Sequence, residues 1–352
     1  MSKVIVIGGG VIGLAISIEL RLKGIDVKIL RKKELKMASL AAAGMLAPHA
    51  EKIALDSLFC LCQNSLNLYP QWIAKLKNIT GKDVGYLPTG IIAPTFEVST
   101  GSSVGGIWWD RSQLEEQQGD LAQDITGAWW YPEDGQVDNR LLIESLNQAA
   151  LSLGIKIEED IQVLSIEEKA GKVNQLVTSA GEMSSQYYIL ANGAYARELI
   201  DLPVSPVKGQ MLSLQMPKAN LLTRVIFGDS VYLVPRADGR LFIGATVEDV
   251  GWSGGNSADG IRLLLERAIR LYPPVRDYPI QEMWWGFRPA TPDEAPLLGS
   301  YFAENLILAL GHYRNGILLA PITGQLICDL LVEGKKETLI QEFSPHRFVG
   351  KG

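Results

Sequence analysis

Cysteine and histidine are scarce, with three of each in 352 residues. Cys60 and Cys62 lie two apart, but no second Cys or His pair stands near them, so a zinc site finds no ligand set. Cys328 is distant and the count is odd, so no disulfide framework can be drawn and a reduced, cytoplasmic setting is expected. Positive charge is not in excess: 33 Lys and Arg against 39 Asp and Glu leave a net charge of −6. A nucleic-acid partner needs a basic face and is not expected. Long apolar runs are missing too. Val4 to Ile18 carries no charge, but Gly8, Gly9 and Gly10 interrupt it. It falls short of the ~20 residues of a membrane span, and only Lys3 precedes it. The expectation is a soluble protein with no membrane partner. Repeats and low-complexity tracts are also absent, and a chain of this length is comfortable as two packed domains.

The first thirty residues carry the strongest local pattern. Val4-Ile5-Val6-Ile7 is short, β-branched and apolar, as a central parallel strand is. Gly8, Gly10 and Gly13 follow with G-x-G-x-x-G spacing, then a helical stretch from Val11 to Lys23. Gly24 stands where a helix C-terminal cap belongs, and Asp26 to Leu30 reads as a second strand. In this βαβ context the glycines allow a tight turn, and the helix N-terminus offers free N–H groups to a pyrophosphate. A dinucleotide is expected there.

Further along, strand-like pieces with Gly, Ser and Pro run from Gly85 to Pro132. A helical block spans Asp134 to Gly154, with Leu141, Leu142, Leu146 and Ala149 on one face. Strand candidates follow at Ile161–Glu167, Val173–Ser179 and Tyr187–Ala191. Residues 206–248 alternate as strands, and Gly260–Tyr272 is helical. Leu306–Leu310 and Gly316–Leu331 return to strand followed by helix. The simplest account is a nucleotide-binding domain interrupted twice by a sheet-rich one.

Four stretches resemble the FAD-dependent oxidoreductases of the D-amino-acid oxidase superfamily. They are Ile7-Gly8-Gly9-Gly10-Val11-Ile12-Gly13; Ala41-Ala42-Ala43-Gly44-Met45-Leu46; Asp134-Gly135-Gln136-Val137-Asp138 with Ile189-Leu190-Ala191-Asn192-Gly193-Ala194; and Leu308 to Pro321. The last, with Trp285-Gly286-Phe287-Arg288-Pro289-Ala290-Thr291-Pro292-Asp293, is similar to the glycine oxidase branch of thiamine synthesis. The resemblance implies an α/β fold. A Rossmann-like, glutathione-reductase-type FAD domain would occupy residues 1–84, 133–205 and 283–352, and a mainly antiparallel β-sheet substrate domain residues 85–132 and 206–282.

It also implies a site. FAD, held noncovalently, would contact Gly8, Gly10, Val11, Ile12, Gly13, Arg31, Ala38, Ser39, Ala43, Gly44, Met45, Val163, Ala191, Gly193, His312, Tyr313, Arg314, Asn315, Gly316, Ile317 and Leu318. Gly311 and Gly316 allow a turn to approach a flat ring closely, and the helix that follows can face the flavin N1–C2=O edge. Arg288 would hold a substrate carboxylate, for which a guanidinium fork is suited. Arg314 would border flavin and substrate, and Tyr232 would close the pocket. The implied reaction is oxidation of glycine, sarcosine or small D-amino acids by hydride transfer to flavin N5, without a side-chain base. Oxygen then reoxidises the flavin, giving glyoxylate, ammonia and hydrogen peroxide. Relatives assemble as tetramers. A quinone-linked D-amino-acid dehydrogenase and a noncatalytic flavoprotein are the alternatives.

Some positions depart from the family pattern. Arg31, Lys32 and Lys33 stand where an acid normally binds a ribose hydroxyl, and Glu34 comes late. An arginine there can also accept the 2′-phosphate of NADP; the Ala41–Leu46 loop and the tail, which have no role in an NADP domain, favour FAD. Ser230 and Val247 replace a histidine and a methionine of the glycine oxidases. Gly286 stands where related sarcosine oxidases carry a flavin-linked cysteine. His49 and His346 read as surface or loop residues, Trp284 and Trp285 as core and interface, and Lys208 as structural.

Overall fold

The computed structural model describes residues 3–32, 37–54, 56–97, 101–217, 222–334 and 338–348. Lys33 and Glu34 therefore lie outside the described residues.

The apolar run Val4–Ile7 forms the centre of a six-stranded sheet. Its order is Leu297–Ser300, Leu306–Leu310, Tyr187–Leu190, Val4–Ile7, Val27–Arg31, Lys156–Glu159. All neighbours are parallel except the first pair. The strands meeting here come from both ends of the chain and its middle; the central ones, Val4–Ile7, Tyr187–Leu190 and Leu306–Leu310, are apolar on both faces and need cover on either side, whereas Lys156–Glu159 is a polar edge. Val11–Leu22, Ser57–Thr80, Asn139–Ser152 and Gly316–Glu333 supply one covering layer, packed in a shared core with Val6, Ile29 and Ile307. A three-stranded antiparallel sheet, Gly181–Met183, Lys172–Thr178 and Val163–Lys169, contributes Val163, Val173 and Leu176 to the core on the other face.

A second, eight-stranded sheet holds the long strands Ile280–Ala290 and Ser205–Gln215, followed by Arg240–Gly244, Tyr232–Pro235, Val225–Phe227, Ile91–Thr95, Gly127–Tyr131 and Ile107–Asp110. Only Val225–Phe227 with Ile91–Thr95 is a parallel pair. The strand Ile280–Ala290 pairs with Ser205–Gln215 from Ile280 to Ala290, so it runs across the boundary expected at residue 283. Helix Ala258–Leu271 covers the sheet through Leu264, Ala268 and Leu271.

Three readings change. Leu141 is exposed at 41%, while Leu142, Leu146 and Ala149 are buried: in the helix Asn139–Ser152, capped by Asp138, Leu141 stands about 100° around the axis from Leu142 and falls outside the buried face. Ser57–Thr80, 24 residues long, had no counterpart in the sequence reading. And one segment does reach membrane length: Gly316–Glu333 is long and apolar enough to cross a bilayer by length and composition. Here Ile317 through Gly324 are buried, and the helix packs against Val11–Leu22 and Ser57–Thr80. It is the core helix of the first layer.

Candidate active site

Four parallel strands end at one rim, at Ile7, Arg31, Leu190 and Leu310, and a cavity of about 320 Å3 opens beyond them. This is the crevice at the carboxyl ends of a doubly wound sheet, where such folds bind ligands. Gly8, Gly9, Gly10, Val11 and Ile12 line it, with Ala38, Ser39, Val163, Ala191, Gly193, His312, Tyr313, Arg314, Gly316 and Ile317. Gly13 lies behind the lining and is required for packing: a Cβ there would sit 2.0 Å from the Gly8 carbonyl oxygen. The N–H of Val11, at the start of its helix, donates to Ser39 Oγ at 3.1 Å. The Asn192 Oδ1 atom is buried without a partner among the described residues and belongs to the same wall. A glycine-lined trough with helix N–H groups and an orphaned amide oxygen suits a long polar cofactor.

Residues 3–330 match the family described as DAO, FAD dependent oxidoreductase. The chain belongs to the DAO family of FAD-dependent oxidoreductases. It is 51% identical to the bifunctional protein ThiO/ThiG of Synechocystis sp. over 99% of its own length and 54% of that protein. It thus spans about half the length of the bifunctional relatives it matches. It is 34% identical to the glycine oxidase of Geobacillus kaustophilus, covering 99% of this chain and 97% of that one. The crystal structure of glycine oxidase from Geobacillus kaustophilus superimposes with a TM-score of 0.91 at 33% identity, over 99% of each chain. For the glycine oxidase of Bacillus cereus ATCC 14579 the TM-score is 0.88 at 30% identity, over 97% of this chain and 98% of that one. The cofactor of this DAO-family member is FAD.

Arg31 is therefore no NADP anchor. Its Nε donates to Glu159 Oε2 at 2.9 Å, its Nη1 to Asn147 Oδ1 at 2.7 Å, and its stem covers Gly9. A guanidinium already paired with a carboxylate is a poor receptor for an added phosphate.

A second cavity, about 660 Å3, adjoins the first and shares with it Ala38, Ala42, Phe287, Tyr313, Arg314 and Ile317. Its walls bring together Arg288, Arg314 and Tyr232 with the loop Ala43, Gly44 and Met45. Arg288 rises from the strand Ile280–Ala290; its Nη1 donates to the carbonyl oxygens of Thr246 at 3.1 Å and Lys208 at 3.4 Å, and the guanidinium reaches the Tyr232 hydroxyl. Burial pushes the Tyr232 phenol above its usual pKa, so it stays a hydrogen-bond donor. Arg314 lies over the Tyr313 ring, 5.4 Å from its centroid. Burial opposes the charge of Arg314, but Glu51 and Tyr313 outweigh it and hold its pKa above the ordinary value. Ser230 and Val247, the two departures from the glycine oxidase pattern, both line this cavity.

Of the residues expected at the cofactor, Gly13, Asn315 and Leu318 line neither cavity. Asn315 precedes the helix Gly316–Glu333 and accepts from the Leu319 N–H at 2.7 Å; Leu318 is buried behind it. His312 does face the first cavity, with Nε2 3.1 Å from Thr323 Oγ1, and burial lowers its pKa to about 3, so the imidazole is neutral. The three cysteines line neither cavity.

Three groups escaped the sequence reading. His49 is buried rather than superficial, its Nδ1 2.7 Å from Asp134 Oδ1, and that bond raises the imidazole pKa. Arg236, also buried, follows the strand Tyr232–Pro235 and reaches the neighbouring loops: its Nη1 donates to Gln136 Oε1 at 2.9 Å and its Nη2 to the Ala43 carbonyl at 2.5 Å. Glu51 stands in the wall of the second cavity. The one available signal was position, and only for two of them: His49 and Glu51 lie a few residues past the Ala41–Leu46 stretch, while Arg236 lies far from every quoted stretch. His346 is exposed, as expected. Trp284 Nε1 donates to the Ala41 carbonyl at 3.0 Å, and Lys208 Nζ pairs with Glu248 at 3.0 Å.

Proposed function

We propose that this chain oxidises glycine and other small amines, including sarcosine and small D-amino acids, and passes the electrons to oxygen with formation of hydrogen peroxide. The product imine hydrolyses to glyoxylate and ammonia, or serves as the dehydroglycine from which the thiazole of thiamine is built. One observation carries the reading: a guanidinium, Arg288, backed by a phenol, Tyr232, in a cavity that adjoins the glycine-lined trough and shares its wall. Similarity to glycine oxidases and to bifunctional ThiO/ThiG proteins supports it.

FAD, when bound, supplies the hydride acceptor. Gly8, Gly10, Val11 and Ile12 would hold its pyrophosphate at the helix N-terminus, and Gly311 through Ile317 its ring, with no cysteine in reach for a covalent link. Arg288 would bind the substrate carboxylate and Arg314 flank it, fixing the α-carbon for transfer. The Tyr232 hydroxyl would donate to the same carboxylate. A homotetramer is the proposed assembly.

The purified protein should show an oxidised-flavin spectrum that bleaches anaerobically with glycine and recovers in air with release of peroxide. Failure of oxygen to restore the spectrum would favour a quinone-linked dehydrogenase. Arg288→Ala should raise the KM for glycine by one to two orders of magnitude, as expected when a charge-assisted pair of ~1.5–3 kcal/mol is lost. Unchanged turnover would remove Arg288 from the site.

A further inference from the structure

Among the side chains of the second cavity, Glu51 has chemistry that the reading above leaves unused. It closes a turn in which its own N–H donates to the Ala47 carbonyl at 3.0 Å. Asp134 pins the same turn, accepting from the Ala50 N–H at 2.8 Å and lying 2.7 Å from His49 Nδ1. The backbone of Glu51 is therefore fixed at the wall. Its carboxylate makes no hydrogen bond and no ion pair within 4 Å to any described residue. Yet its charge interacts with Arg314, Arg288 and the Tyr232 hydroxyl, and more weakly with Asp134 and Glu294. The other acids of the cavity are differently placed. Glu248 is held by Lys208 and Gln210, Asp259 pairs with Arg262 at the surface, and Asp229 is exposed.

An α-amino acid carries a carboxylate and, near neutral pH, an ammonium. Two guanidiniums satisfy the first and repel the second, and a cavity with those alone would prefer plain carboxylates to zwitterions. A carboxylate with no hydrogen-bond or ion-pair partner among the described residues corrects that preference. Oxidation adds a second demand, because the nitrogen lone pair must be free to form the C=N bond as the Cα–H bond breaks. We propose that Glu51 receives the amine end of the substrate, binding its ammonium while Arg288 holds the acid, and then accepts the ammonium proton. One N–H bond breaks, one O–H bond forms on the Glu51 carboxyl, and no electrons change owner in that step. The inference rests on the proposed oxidation of small amino acids. Burial raises the Glu51 pKa against the opposing pull of Arg314 and Arg288, which favours a group that can hold a proton.

The test compares glycine with glycolate, which has the carboxylate but no amine. Both would be titrated into the FAD-loaded protein, following the flavin spectrum, with glycine added anaerobically. Glu51→Gln should weaken glycine at least tenfold and leave glycolate unchanged or tighter, since a repulsive charge has gone. Glu51→Asp keeps the charge one methylene further back and should retain most of the discrimination. The acid limb of the kcat/KM profile for glycine should disappear in Glu51→Gln, leaving a rise that follows the amine's own ionisation. Equal losses for glycine and glycolate in both variants, or no change in either, would overturn the proposal. Wild-type protein that binds FAD but is not reduced by glycine or sarcosine would instead remove the reading on which it rests.

Discussion

Single residues were legible as neighbours: Arg288, Arg314 and Tyr232, expected together, share the wall of the second cavity. The carboxylate role proposed for Arg288 follows from the fit of a guanidinium fork. What makes room for it was not legible. Gly209 faces Gly286 across the two long strands, one pair away from Lys208 and Phe287 and two from Val207 and Arg288. A Cβ on Gly209 would fall 2.5 Å from Arg288 Nη1 and 2.6 Å from Nη2. That requirement is set by register between residues some eighty positions apart, which no local pattern encodes. Gly209→Ala is expected to push the guanidinium from its place, raising the glycine KM about tenfold while FAD content stays at the wild-type level. Steady-state kinetics with a flavin absorbance ratio checks this; an unchanged KM would mean that the fork relocates freely. Glu51 and His49 were missed for a related reason. Burial is a property of what packs around them, and both stand in a stretch whose composition reads as loop.

At the scale of elements, strands and helices with a clear period emerged in place: Val11–Leu22, Val27–Arg31, Leu306–Leu310 and Gly316–Glu333. Ser57–Thr80 did not, because Pro70 and a run of Gln, Asn and Ser dilute its periodicity. Its packing against Gly316–Glu333 shows what it is for. Pro321 has no N–H to offer the Ile317 carbonyl four residues earlier. Tyr69 Oη donates to that carbonyl at 2.6 Å, and Ser65 Oγ donates to the next one, Leu318, also at 2.6 Å. Two hydroxyls from the long helix thus complete the first turn of the helix that faces the cofactor trough. Tyr69→Phe leaves the Ile317 carbonyl buried and unpaired, at a cost of ~1–3 kcal/mol. Chemical denaturation should show that loss, and FAD should dissociate more readily because Ile317 lines both cavities. A wild-type midpoint and FAD affinity would show that water replaces the hydroxyl.

For the whole molecule, the division into a nucleotide part and a sheet part was readable from the glycine motif at one end and the strand–helix tail at the other. The joint between them was not, because it depends on side chains far apart in sequence, such as Trp284 on the Ala41 carbonyl, Arg140 with Glu282, and Arg236. Arg236 leaves the end of the strand Tyr232–Pro235 and enters the first domain's loops. It donates to Gln136 Oε1, to the Val137 and Ala43 carbonyls and to Asn139 Oδ1, and its Nε lies 3.6 Å from Asp138 Oδ2. Its carbon atom Cζ stacks over the Phe242 ring, 4.6 Å from the centroid. Burial lowers its pKa to about 10, still well above neutrality, so the group remains charged. Apart from Asn139, the acceptors it satisfies belong to two of the family stretches, Ala41–Leu46 and Asp134–Asp138, and Arg236 ties both to the eight-stranded sheet. Arg236→Leu keeps apolar bulk against Phe242 but leaves Gln136 Oε1 and the Ala43 and Val137 carbonyls without their guanidinium donor, and leaves Asp138 with Arg240 as its one guanidinium among the described residues, which should cost roughly 3–5 kcal/mol. Because Ala43 and its neighbours border the second cavity, the variant should also lose the shape of that wall. The expected result is a lower melting temperature together with weaker glycolate binding in whatever fraction still carries FAD. A variant that melts early yet binds glycolate as the wild type does would confine Arg236 to holding the domains together, with no hold on the loop.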